Sequence, residues 1–164
     1  MKKTETATFY PKSKKAWRQW LQKNHSKKNS VWLVCYKKSS NIPTISWSDA
    51  VDEALCFGWI DSIKRTIDED QFIQFFSKRK AVSTWSKINK EKIKRLIDNE
   101  LMTPAGYESI EIAKQNGSWN LLDTVEKLEI PKDLEKEFIT KKGSKDFFLS
   151  LSRSLRKAML QWLL

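Results

Sequence analysis

The chain is 164 residues long with 31 Lys and Arg against 20 Asp and Glu, a formal charge of +11, and eight Trp, eight Phe and three Tyr. That length suits one domain with a real core, to which the aromatic residues give unusually large side chains. No run reaches the apolar length of a bilayer span, and no apolar leader core follows Met1-Lys2-Lys3-Thr4-Glu5, so a cytoplasmic protein with reduced thiols is expected.

Charge is uneven: residues 1–80 carry 16 basic against 8 acidic side chains, and no acid falls between Glu5 and Asp49. Ser13 is placed to cap a helix reaching about Asn24, with Trp17, Trp20 and Leu21 on one stripe. His25 follows the helix end, where an imidazole meets free carbonyls. After a polar loop, Val31-Trp32-Leu33-Val34-Cys35-Tyr36 is apolar at every position and reads as a central strand covered on both faces.

The stretch Ser46 to Ser62 is the most informative. Ser46 is an N-cap with Asp49 three residues on; Trp47, Ala50, Val51, Ala54 and Leu55 form one stripe, while Asp49, Asp52 and Glu53 point elsewhere. Gly58 ends that helix in a left-handed cap, and a strand emerges over 59–67. On a regular strand Trp59, Asp61, Ile63 and Arg65 share one face, with Asp61 and Arg65 roughly 13 Å apart. Asp68-Glu69-Asp70 is a turn and Gln71 to Lys78 the return strand. A three-residue loop sets Asp61 opposite Ser77; a two-residue loop sets it opposite Lys78.

From Trp85 onward the pattern is helical. Ser86 and Thr103-Pro104 open two helices, the second ending at Gly117. Residues 121–128 form a short helix, Pro131 opens another with Leu134 and Phe138, and Gly143-Ser144 restarts the chain at Phe147 and Phe148. Leu155, Ala158, Met159, Trp162 and Leu163 make a last apolar stripe. The predicted architecture is α+β: a small, mainly antiparallel sheet of about three strands packed with several helices, with residues 1–120 as core and 121–164 as a helical region packed on it.

Few chemistries survive inspection. His25, Cys35 and Cys56 lack the paired spacings that hold zinc, four glycines form no phosphate loop, and no catalytic residue, metal or cofactor is assigned. What remains is a polar set among aromatics: Trp59, Asp61, Arg65, Arg79, Trp85 and Asn89. An arginine beside Asp61 suits recognition of a small anionic or zwitterionic ligand better than proton abstraction. The plainer reading is an Asp61–Arg79 pair that only fixes the hairpin against the helices. Two alternatives are an enzyme centred on Asp61 and a nucleic-acid binder using Lys12, Lys14, Lys15 and Arg18.

The letters Trp20-Leu21, Asn24-His25, Val31-Trp32-Leu33-Val34, Ser46-Trp47, Glu53 through Ser62, Phe76-Ser77, Arg79-Lys80, Trp85-Ser86 and Pro104-Ala105-Gly106 resemble the bacterial YdeI/OmpD-associated family, also called bacteriocin-protection proteins. Departures are Lys78 and Glu100, where that pattern has proline and glycine, and the lack of a basic helix after Trp162. The resemblance implies a small cytoplasmic or exported stress-related protein, named for protection against antimicrobial peptides, with no established catalytic residue; the function expected here is that of a non-enzymatic binding or interaction protein. A charge of +11 repels cationic peptides, which argues against direct sequestration.

Overall fold

A computed structural model describes residues 7–164; the Met1–Glu5 stretch read above for a leader lies outside them. The sheet contains β1 (Thr8–Phe9), β2 (Ser30–Tyr36), β3 (Trp59–Thr66) and β4 (Gln71–Lys78) in the order β1-β2-β4-β3. The fold is α+β with a mixed four-stranded sheet: β1 runs parallel to β2 and the other pairs are antiparallel. The extra strand is β1, whose two residues are too few to leave an alternating pattern. β2 is central, but only Val31, Leu33 and Cys35 are buried. Its other face stays half-buried, because Trp32 meets Phe75 at 4.9 Å and Arg65 lies 4.9 Å above the Trp32 ring.

The hairpin closes through the three-residue turn, and Lys64, Arg65 and Thr66 pair in the register that turn dictates. A β-bulge between Asp61 and Lys64 then slips the register by one, so Asp61 lies opposite Phe76 and neither Ser77 nor Lys78. The extra residue breaks the alternation. Asp61 shares the inner face with Phe76 and Gln74, while Arg65 crosses to the outer face above Trp32.

Helices α1 (Lys14–Asn24), α2 (Trp47–Cys56), α3 (Lys87–Asp98) and α4 (Pro104–Gln115) complete the first unit. Each begins where a hydroxyl accepts the expected backbone N–H: Ser13 from Ala16, Ser46 from Asp49, Ser86 from Asn89 and Thr103 from Gly106. The core gathers Trp17, Leu21, Leu33, Leu55, Trp59 and Phe76 around α2. Every residue of α2 from Ala50 to Cys56 is buried. Asp52 and Glu53, read from the sequence as facing away from the apolar stripe, are 4% and 2% exposed. Asp52 meets Lys92 at 2.6 Å and Arg95 at 2.5 Å from α3, and Glu53 meets Arg18 at 2.7 Å from α1.

Helix α2 ends at Gly58, which takes φ +70°. The Thr103 hydroxyl and amide both donate to the Cys56 carbonyl, at 2.6 and 3.1 Å, so α4 starts directly on the end of α2. Gly106 makes that approach fit: a Cβ there would stand 2.3 Å from the Cys56 carbonyl oxygen.

Four helices follow: α5 (Asp123–Glu126), α6 (Lys132–Thr140), α7 (Ser144–Ser150) and α8 (Arg153–Trp162). They build a second core on Leu122, Val125, Phe148 and Leu160. The predicted α8 stripe is not what α8 buries. Leu160 is buried, while Leu155, Met159 and Trp162 are exposed along an apolar groove of about 490 Å³ shared with Phe138 and Phe147. No helix among the described residues is long and apolar enough to cross a membrane.

Gly106→Ala is expected to cost about 3 kcal/mol in urea unfolding, since backbone must move to admit the methyl group. Gly117→Ala, with open space around it but φ +82°, should cost only about 1 kcal/mol. Equal costs at the two sites would contradict this reading of the α2–α4 contact.

Candidate functional site

Arg79 leaves the end of β4 and is fixed there by its own amide, which donates to the Gly58 carbonyl at 2.9 Å. Its guanidinium carbon lies over Trp85, 3.7 Å from the ring centroid, and Nη2 donates to the Thr84 carbonyl at 2.7 Å. The other two nitrogens, Nε and Nη1, are buried and have no hydrogen-bond partner. Burial pushes the Arg79 guanidinium down to about 10, with Asp61 opposing the shift, so the group stays charged near neutral pH. Stacking on an aromatic face holds a guanidinium well, but it supplies no acceptor for those N–H groups.

Cavities meet at this side chain. The largest, a cleft of about 580 Å³, runs from Ile60 past Arg79 and the first turn of α3 to α5 and α8. Lys87 and Asn89 line it from α3, and Lys157 and Gln161 from α8. Lys157 is held at 2.7 Å by Glu126, also on the wall. Three cations and the positive end of a twelve-residue helix therefore surround one carboxylate. A second cavity of about 370 Å³ opens on the other side, between Trp59, Lys78, Arg79, Glu108 and Ser109. A third of about 210 Å³ lies beside Trp85.

The structure thus brings together Arg79, Trp85 and Asn89, and sets Trp59 on the second cavity. It separates the other two candidates. Asp61 accepts from Trp47 Nε1 at 2.8 Å and Gln74 Nε2 at 3.4 Å, so its partners are neutral, and the expected ion pair with an arginine does not form. Arg65 is carried to the opposite face by the bulge. The basic block is partly engaged in the fold: Arg18 pairs with Glu53 and donates to Leu101 O at 2.8 Å, and Lys14 reaches Asp49 at 3.4 Å. Lys12 and Lys15 remain exposed. Sequence reading missed Lys87, although it follows the Ser86 cap directly, and Lys157, whose place at the cleft depends on packing 70 residues away.

His25 Nδ1 lies 2.9 Å from the Leu21 carbonyl, the helix-end contact its position suggested. Cys35 and Cys56 are both buried, and burial pushes each thiol up to about 11. Lys64 opposes the shift at Cys35, and Glu53 adds to it at Cys56. Among the described residues no group of three His, Cys, Asp or Glu is arranged to hold a metal ion.

Two family models match the chain. One described as "Domain of unknown function (DUF8412)" covers residues 9–109, which include the Ser46–Ser62 segment and Arg79. The other, described as "Bacteriocin-protection, YdeI or OmpD-Associated", covers residues 127–164, so the resemblance noted above is found over the C-terminal helices alone. No curated protein and no solved structure gives a match.

Both thiols should react with Ellman's reagent roughly a hundredfold more slowly in the native protein near neutral pH than in denaturant, since thiolate is the reactive form. Native labelling of either cysteine at the denatured rate would contradict the burial and pKa assigned to it.

Proposed function

We propose, for a chain that belongs to the DUF8412 family through residues 9–109 and carries a bacteriocin-protection, YdeI or OmpD-associated segment at 127–164, that it is a non-enzymatic binding protein for a small anionic ligand. The ligand sits in the cleft at Arg79. The observation that carries this reading is the pair of buried guanidinium nitrogens without an acceptor. A charged donor left unpaired in a protein interior is costly, and such groups concentrate where something else supplies the partner.

The surroundings favour an anion in three further ways. Lys87 and Lys157 add positive charge to the cleft wall, α3 points its N-terminal end there, and Asn89 offers an amide that both donates and accepts. Ile60, Ile88, Leu122 and Val125 give the same cleft an apolar floor, so a ligand with an anionic head and an apolar body fits best. We place the protein in the cytoplasm, where two unpaired buried thiols persist. Any part in resistance to antimicrobial peptides runs through this ligand or a partner, because a chain of +11 repels cationic peptides.

Inorganic phosphate and decanoate, titrated at constant ionic strength, serve as head and head-plus-body probes. Each is expected to raise the melting temperature saturably, decanoate at lower concentration, by the ordinary linkage of binding to stability. Arg79→Gln should weaken both roughly tenfold or more, the loss of one charge-assisted hydrogen bond. Stabilisation no greater than that given by sodium chloride at the same ionic strength would overturn the reading.

A further inference from the structure

We infer that the cavity on the other side of Arg79 is a second subsite, one that takes the carboxylate of a small monoanionic acid and reads it through the indole N–H of Trp59. It shares Arg79 with the cleft proposed above and adds a donor the cleft lacks. Trp59 is 0% exposed, it lines this cavity, and its Nε1 has no hydrogen-bond partner. Two other indoles find acceptors within the chain: Trp17 Nε1 donates to the Ala50 carbonyl at 3.0 Å and Trp47 Nε1 to Asp61 at 2.8 Å. Buried tryptophan N–H groups ordinarily do so. Trp59, with its N–H unsatisfied, and Arg79, with two unsatisfied nitrogens, both line this cavity, which calls for an acceptor from outside the chain.

The remaining lining residues narrow the acceptor. Lys78 adds a cation, although its Nζ already donates to the Ser26 carbonyl at 3.0 Å. Glu108 contributes one negative charge at the same cavity. A monoanion tolerates that charge beside two cations better than a dianion does, so carboxylate is favoured over phosphate or sulfate. The volume, about 370 Å³, is that of about a dozen liquid waters and suits an acid of amino-acid size. Phe57 and Ile112 supply apolar wall for its short carbon chain.

Nitrogen-15 spectra of the full chain test this, because indole N–H signals stand apart from backbone amides. Sodium acetate and sodium phosphate are titrated separately at constant ionic strength. The Trp59 indole signal is assigned with Trp59→Phe or, should that variant fail to fold, from its through-space contacts to Trp20, whose ring lies 5.9 Å away. Acetate is expected to move the Trp59 N–H downfield and saturably, together with the Ser109 amide; phosphate should leave both in place. Arg79→Lys should weaken acetate about tenfold, and Glu108→Gln should let phosphate in.

A Trp59 N–H that stays at one position under acetate, or sits upfield because the Trp20 ring face satisfies it, would overturn the subsite. The side-chain amide of Asn89 reports the cleft independently. Phosphate moving Asn89 while Trp59 is unmoved by acetate would remove the subsite and keep the cleft. Acetate moving Trp59 while neither anion moves Asn89 would do the reverse.

Discussion

Asp52 and Glu53 sit side by side on a helix buried from Ala50 to Cys56, and each carboxylate depends on a cation delivered by a different neighbour. Glu53 draws in Arg18 from α1; Asp52 draws in Lys92 and Arg95 from α3. Removing one partner from a pair of this kind is far more damaging than never having built it, because the other charge is left in a poor solvent. The two pairs therefore fix the flanking helices on either side of α2 while its apolar stripe rests on the sheet. Everything downstream takes its position from that helix: Gly58 turns the chain into β3, and Thr103 and Gly106 seat α4 on the Cys56 carbonyl.

Arg79 inherits its place from the same point. Its amide is tied to the carbonyl of Gly58, the residue that ends α2, and its guanidinium is pressed on Trp85 at the entry to α3. Asp52 and Glu53 find partners within the chain, whereas Arg79 is left two acceptors short and Arg156 one. Thr84 occupies a single nitrogen, and Asp61, the acid that could have completed the set, is turned to Trp47 and Gln74. A fold selected for stability alone would fill that gap, and this supports the proposal that Arg79 is held for a ligand.

Local chemistry was legible in the letters and long-range geometry was not. The hydroxyl caps at Ser13, Ser46, Ser86 and Thr103, the Gly58 turn and the Asp68–Asp70 hairpin tip all depend on residues within a few positions of one another, and each is where the sequence placed it. The bulge in β3 leaves no mark in Asp61-Ser62-Ile63-Lys64, which contains no glycine, yet it alone decides that Asp61 and Arg65 face opposite ways. Asp52 and Glu53 look like a solvated helix face because their partners lie some forty residues away in the chain. The α8 stripe was read correctly as apolar, but periodicity states which residues share a face without stating what that face meets, here an open groove.

If Arg79 is held for a ligand, as proposed, it is held at a cost to the empty protein, and one substitution separates this from a structural role by the sign of its effect. In ligand-free protein, Arg79→Met keeps apolar packing against Trp85 and removes the unpartnered donors along with the hydrogen bond to Thr84. Urea unfolding is predicted to show the variant more stable by about 1 kcal/mol, as replacement of a poorly compensated buried charge by an apolar side chain allows. A loss of about 2 kcal/mol or more in the same measurement would show that Arg79 is needed to hold the fold together, and would contradict the claim.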